Sequence, residues 1–306
     1  MKKTFSYKLS IFMFLLPALA LFIGVLIAPI FLSVYYGFMN KKGPGGAETW
    51  IWFDNYKEMF TSGSFGFWKA LGNSLLLALF SVGIQLPLAL LLALKLGKGV
   101  RGERGFLSIY FMPVLISTVV IGQLWLKIYN PDYGILNQFL RSIGLGDWLN
   151  EKIGVWGTRS AWLSKTNPLA LAACFVPILW QYVGYHMLLM YAGVKSVPRD
   201  LLEAAQLDGC TEGQVNRHIV IPYIKPILKV CVIFAVTGSL KSFDLIFTLL
   251  KETRNAELPS TLMYKLLFLN NRYGIASAIA VVLIVLCFVF ALLISLAFRD
   301  RGEKVS

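Results

Sequence analysis

"VPRDLLEAAQLDGCTEGQVNRHIVIPYIKP", residues 197–226, decides how this chain is read. The chain is 57% hydrophobic, yet Glu203, Gln206 and Asp208 stand here beside Ala204, Ala205 and Gly209. The local chemistry predicts a short helix. Pro198 suits the first helical position, where its missing N–H is not needed. Asp200 and Glu203 fall in the first turns, where the helix dipole favours negative charge. Gly209 can take the left-handed conformation that closes a helix. A second short helix is expected over residues 210–218, ahead of Pro222. A helix lying flat on lipid would carry basic residues on its polar face, not Glu203 and Asp208. Docking into another protein fits better. Ala204 and Ala205 let a backbone approach closely, and Glu203 offers an anchoring carboxylate.

On either side of this patch the chain is apolar. Its 306 residues would allow one or two soluble domains. The mean hydropathy of +0.66 instead places it in a membrane, with several apolar runs reaching the roughly 20 residues a spanning helix needs. Six spans emerge, at 11–38, 70–94, 106–127, 168–192, 220–240 and 274–298. The expected fold is an all-α membrane protein, with residues 1–306 as one transmembrane domain and 195–219 as a loop on one side. Pro17, Pro29, Pro87, Pro113, Pro177 and Pro226 fall within or near the spans, which membrane helices tolerate. Lys2, Lys3 and Lys8 precede the first apolar run, and Ala18-Leu19-Ala20 has the look of a signal-peptidase site. The run continues to Phe38, far beyond a signal core, so it is read as a retained helix.

The net charge of +13 would suit nucleic acid only if the basic residues formed a patch. They sit singly between apolar runs, so no nucleic-acid partner is expected. With the N-terminus inside, the inner segments hold 15 lysines and arginines in 64 positions, and the outer segments 14 in 104. That density puts both termini, and the 197–226 patch, in the cytoplasm. The outer loops carry Trp50, Trp52, Trp68, Trp148, Trp156 and Trp162, residues suited to the headgroup level. Gly43-Pro44-Gly45-Gly46 marks an outer turn. Gly274, Ala276, Ser277 and Ala278 give the sixth span a small face for close helix packing.

Other chemistries find little support. Cys174, Cys210, Cys231 and Cys287 are far apart, which implies packing and neither metal nor disulfide. His186 and His218 have no nucleophile–base arrangement around them. No GxxxxGK[ST] occurs, so any ATP-driven step needs separate subunits. Uncharged polar and aromatic groups do recur inside the spans, where they are expensive unless they face a cavity or a neighbouring helix. Span four offers Trp180, Gln181, Tyr182, Tyr185 and His186, with positions 178, 182 and 185 on one helical face. Span five offers Ser239, Ser242 and Asp244, with Asp244 and Lys241 expected near the outer mouth.

The 197–226 stretch resembles the EAA loop of permease subunits of ATP-binding-cassette importers. Glu203-Ala204-Ala205, Gly209 and Ile219-Val220-Ile221-Pro222 occupy its pattern, with Ile221 where leucine is commoner. The segments 73–96, 111–125, 179–198, 242–250 and 273–280 are similar to the carbohydrate-uptake branch, so the likeness covers about residues 10–300. The family resemblance implies a type I importer permease fold (MetI-like) and a coupling loop in which Glu203, Ala204, Ala205, Asp208 and Gly209 meet an ATPase subunit. It also implies the partners: a homologous second permease, two ATPase copies and an extracellular solute-binding protein, all serving sugar import across a bacterial plasma membrane without any cofactor in this chain. Similarity to maltose-type permeases suggests Thr118, Tyr182, Tyr185, Ser239 and Ser242 as pocket residues. Where the family carries a glycine-rich loop, this chain has "LLKETRNAELPSTLM" (249–263). Oligosaccharide is the expected cargo. Glycerol phosphate or a polyol is the second reading, although spans two to four lack the deep basic residue that a phosphate would favour. A membrane-embedded enzyme and a purely structural subunit are more remote.

Overall fold

The computed structural model of the chain describes residues 2–63, 65–145, 162–163, 169–250 and 256–299. Among them, five helices are long and apolar enough to cross a bilayer: Leu9–Gly37, Phe67–Gly97, Ala170–Lys195, Lys225–Leu250 and Tyr273–Ala297. A sixth is the pair Glu103–Leu115 and Thr118–Ile128, if the two are counted as one span.

Two of these differ from the sequence expectation. The stretch read as a continuous third span is bent by 96° between its two helices. Ile116 and Ser117 take extended backbone, with ψ of 139° and 131°. Pro113 has already removed one helical donor, which weakens the helix just before this point. The fifth span does not end at Leu240. Its helix breaks over residues 241–243 and resumes as Asp244–Leu250.

The described chain groups into two compact units, one of Met1–Phe67 with Leu262–Val285, the other of Trp68–Thr261 with Leu286–Ser306. In the first, a hairpin that the sequence did not announce forms, extended by an isolated bridge between Lys42 and Arg272. Met39–Lys41 pairs antiparallel with Glu48–Trp50, in the register Met39↔Trp50, Asn40↔Thr49 and Lys41↔Glu48. The Gly-Pro-Gly-Gly segment forms its turn. Buried Asn55, on helix Asp54–Thr61, donates from Nδ2 to the carbonyls of Gly37 and Met39, both at 2.9 Å. Those two bonds clamp the end of the first span to the hairpin. Arg272 reaches both carboxylate oxygens of Glu58 at 3.0 and 3.1 Å. Gly274 is small for a reason: a side chain there would meet the Met39 carbonyl and the Asn55 amide. The Glu48 carboxylate accepts from Lys41 Nζ and holds that ammonium above its ordinary pKa. Trp50 stacks on Phe38 at 5.8 Å.

Two of the apolar clusters in the second unit position the site. In one, Leu86, Ala89, Ala93 and Leu96 of the second span pack on Val183, Met187 and Met190 of the fourth, with Cys231 and Ala235. In the other, Leu77, Ile121, Cys174 and Phe175 pack on Leu245, Ile246 and Leu249. Cys174 and Cys231 are fully buried in these clusters, as small apolar side chains. Trp148 and Trp156 lie outside the described residues. Trp162 donates to Asn137 Oδ1 at 2.7 Å.

Candidate functional site

Between the two clusters of the second unit lies a cavity of about 340 Å³, within the range of small-molecule sites. Leu77 and Leu245 reach it from one cluster and Ala235 from the other. Three irregularities of the helices deliver its polar groups. A π-helical turn, Ser81–Gln85, interrupts the second span, and both of its end residues line the cavity. Such turns are rare and cluster at functional sites. The 96° bend puts Thr118 at the start of a helix and on the wall. The break in the fifth span brings Lys241, Ser242, Phe243 and Asp244 to it. Non-helical backbone at membrane depth is tolerated where it is buried or lines a cavity. Here the Ser242 carbonyl accepts a hydrogen bond from Ser260 Oγ.

The fourth span contributes one face, Ile178, Tyr182 and Tyr185, with His186 beside it. Gln181 donates from Nε2 to Thr118 Oγ1 at 3.3 Å. Ser239 Oγ bonds the Ala235 carbonyl at 2.8 Å and lies 3.4 Å from Ser81 Oγ. Gln85 Nε2 and His186 Nδ1 are 3.1 Å apart. Lys241 and Asp244 are exposed, so opposite charges share the helix break.

The second candidate is the segment between the fourth and fifth spans. Helix Arg199–Leu207 is preceded by Pro198 at the cap position, one residue before the helix proper. Leu202 packs on Val197, Val220 and Ile224, and Ala205 is buried. Glu203, Ala204, Leu207 and Asp208 face outward, with Leu207 90% exposed. The helix closes through a double bond pattern, Cys210 N–H to the Ala205 carbonyl and Gly209 N–H to the Gln206 carbonyl, both 3.0 Å. Gly209 has φ +76°, as that closure requires. Thr211 and Gln214 then form a capping box that starts helix Glu212–Val215. Helical turns continue to Tyr223. Lys98 pairs with Glu212, and Glu103 accepts from Tyr191 and Lys195. The loop after the second span thus touches this segment through Lys98 and the end of the fourth span through Glu103.

Comparison with known proteins decides the family. Residues 85–302 match the family of binding-protein-dependent transport system inner membrane components. The chain belongs to this family. This permease is 35% identical to a probable ABC transporter permease protein of Pyrococcus horikoshii, over 96% of this chain and 97% of that one. It is 29% identical to the diacetylchitobiose uptake system permease protein of Streptomyces coelicolor, over 98% of this chain and 85% of that one. A solved bacterial ABC transporter involved in import of the acidic polysaccharide alginate has a chain that superposes with TM-score 0.81 at 26% identity, covering 98% of this permease and 99% of its own length. The permease is thus a multi-pass membrane protein.

Of the path residues named from the sequence, Thr118, Tyr182, Tyr185, Ser239, Ser242 and Asp244 line one cavity. Trp180 does not. It packs edge-on against Trp125, with ring centroids 6.3 Å apart. Two positions on from Ile178 it faces away from that residue's side of the helix. Lys241 and Asp244 lie at a helix break within the 225–250 span, not at its end. Of the five residues expected from the sequence to meet an ATPase, Ala205 turns inward and the other four are exposed. The permease's Ser81 and Gln85 escaped sequence reasoning. Their signal was a glutamine and a serine inside an apolar run, costly in lipid without a cavity.

Proposed function

We propose that this chain is one permease half of an ABC importer that carries an oligosaccharide through the cavity of the second unit. Uncharged hydroxyls and aromatic rings lining one cavity from three spans are the observation that carries this reading. Tyr182 and Tyr185 supply flat faces for a sugar ring, and Thr118, Ser239 and Ser242 supply partners for its hydroxyls. The relatives that take up diacetylchitobiose and alginate support a saccharide cargo.

In this reading the chain works as one domain of the plasma membrane with both termini cytoplasmic. Residues 195–219 form the coupling loop, and Glu203, Ala204, Asp208 and Gly209, braced by Ala205, meet an ATPase subunit. A homologous second permease, two ATPase copies and an extracellular solute-binding protein complete the machine. ATP binding closes the ATPase pair, and a stiff connector converts that closure into a shift between permease conformations. Leu202 fastens the connector to Val220 and Ile224 at the approach to the fifth span, which ends its first helical stretch at the cavity. The chain itself performs no catalysis.

One observation favours a second cargo. The Lys241 ammonium lines the cavity, which suits a phosphorylated polyol, although Asp244 beside it offsets the charge. The test is uptake by the whole complex in proteoliposomes, with binding protein and ATP. ATP-dependent accumulation of a neutral oligosaccharide, uncompeted by glycerol 3-phosphate, supports the first reading. Competition by glycerol 3-phosphate supports the second, and turnover of sugar or lipid by this chain alone refutes both.

A further inference from the structure

Gln85 and His186 are 2% and 4% exposed, lie on different spans, and both line the cavity. Each keeps one polar atom with no hydrogen-bond partner among the described residues, Gln85 Oε1 and His186 Nε2. A buried polar atom left unmet costs about 1–3 kcal/mol. The two residues meet each other, so each is left with one unmet atom, and the chemistry of those atoms says what would complete them.

His186 Nδ1 faces two groups, Gln85 Nε2 at 3.1 Å and the Tyr182 carbonyl at 3.0 Å. A carbonyl oxygen only accepts, so Nδ1 carries the proton and donates to the Tyr182 carbonyl. The Gln85 amide, whose orientation is assigned from the network, then presents its oxygen to that proton. His186 Nε2 is left as a free acceptor and the Gln85 amide N–H as a free donor, so the pair offers one donor and one acceptor.

We infer that Gln85 and His186 form a hydroxyl-reading subsite of the cavity, which takes an uncharged sugar hydroxyl or a vicinal pair of hydroxyls. A hydroxyl both donates and accepts, so a hydroxyl or a vicinal pair can meet both the free acceptor and the free donor. A carboxylate or phosphate only accepts, and an ammonium only donates, so each leaves one buried atom unmet. The subsite selects for neutral hydroxyls without any charged residue. Both free atoms are shut off from solvent in this conformation, so the wall has to part slightly for a ligand to reach them. The unmet atoms burden the closed, empty state, and a hydroxyl relieves it. Sites built to hydrogen-bond a hydroxyl reject analogues that lack it far more strongly than apolar pockets reject a missing methylene.

This inference rests on the saccharide reading, and the experiment separates the two. The complete complex in proteoliposomes is offered radiolabelled maltose, cellobiose, lactose and sucrose. The best of these is then compared with each of its monodeoxy analogues. Uptake kcat/KM is divided by the binding protein's separately measured affinity for each sugar. The expected wild-type result is at least one deoxy analogue carried about tenfold less well than the parent. Gln85→Met and His186→Asn should lower parent uptake about tenfold and leave that analogue unchanged, so the ratio collapses toward one. His186→Gln, which restores a polar atom near the Nε2 position, should restore the ratio. A merely structural role would lower the complex's thermal melting point and leave the ratio alone. The inference is overturned by an unchanged ratio in both deleting variants. It is also overturned by a wild-type complex indifferent to every deoxy position, a result that stands even where a variant fails to assemble. Failure of the wild type to carry any neutral sugar defeats the saccharide reading itself.

Discussion

Replacing Gly209 probes the connector without touching the cavity. Its φ of +76° lies where an L side chain is strained, at a cost of about 1–2 kcal/mol for an ordinary residue. The two closing bonds, to Ala205 and Gln206, hold only in that conformation. A Cβ built at Gly209 meets nothing within 4 Å, so the penalty is conformational and not a clash. Asparagine tolerates the left-handed region, alanine less so, and a β-branched residue least. The corner between the two short helices should therefore be lost in the order Gly, Asn, Ala, Val, with about a 5- to 30-fold drop in its population at the far end. Gly209→Pro adds the loss of the N–H that bonds Gln206. The assay is sugar molecules moved per ATP hydrolysed by the reconstituted complex, at matched permease content. The ratio should fall along the series while the ATPase still hydrolyses. A valine variant with wild-type coupling, or an asparagine variant worse than alanine, would refute the stiff-corner argument.

Other outcomes follow from the same geometry. Glu203→Lys reverses an exposed charge on the docking face and should release the ATPase from the purified complex without altering membrane insertion; normal co-purification would count against docking there. Tyr182→Ala and Tyr185→Ala should each raise KM for sugar about tenfold, the Phe variants less, because ring contacts are worth about 0.5–1.5 kcal/mol beyond area; unaltered kinetics would remove them from the path. Asn55→Ala strands two buried carbonyls and should destabilise the hairpin clamp by about 2 kcal/mol, read as faster amide exchange over residues 37–42. Lys98→Ala breaks an exposed ion pair and should cost under about 1 kcal/mol, so transport should change little with it or with added salt.

The spans were legible because each is a long apolar run, and hydropathy needs no partner to be read. The helix Arg199–Leu207 was legible because its signals are local: Asp200 in the first turn and Gly209 at the close. The 96° bend was not, because Pro113 is compatible with an unbroken membrane helix and nothing in the sequence marks Ile116 as extended. The hairpin hid behind a glycine-rich turn flanked by strands of only three residues. In the cavity, the 178, 182, 185 spacing identified one wall correctly as a shared face, and the same spacing argues against Trp180. Gln85 and His186 stand 101 positions apart, and no local pattern pairs them. Ala205 looked equivalent to Ala204 in the sequence. Only the folded chain shows that Ala205 is covered and Ala204 is not.

Gly238 gives the most direct test of transport through this cavity. It lines the cavity, and a Cβ added there meets nothing within 4 Å, so a large side chain can enter the space without displacing a neighbour at its base. The measurement is ATP-driven sugar uptake by complexes carrying Gly238→Ala or Gly238→Trp, with ATPase activity and assembly followed in parallel. The alanine variant should transport nearly as wild type, and the tryptophan variant should assemble and hydrolyse ATP yet carry no sugar. Full uptake through the tryptophan variant would place the path elsewhere.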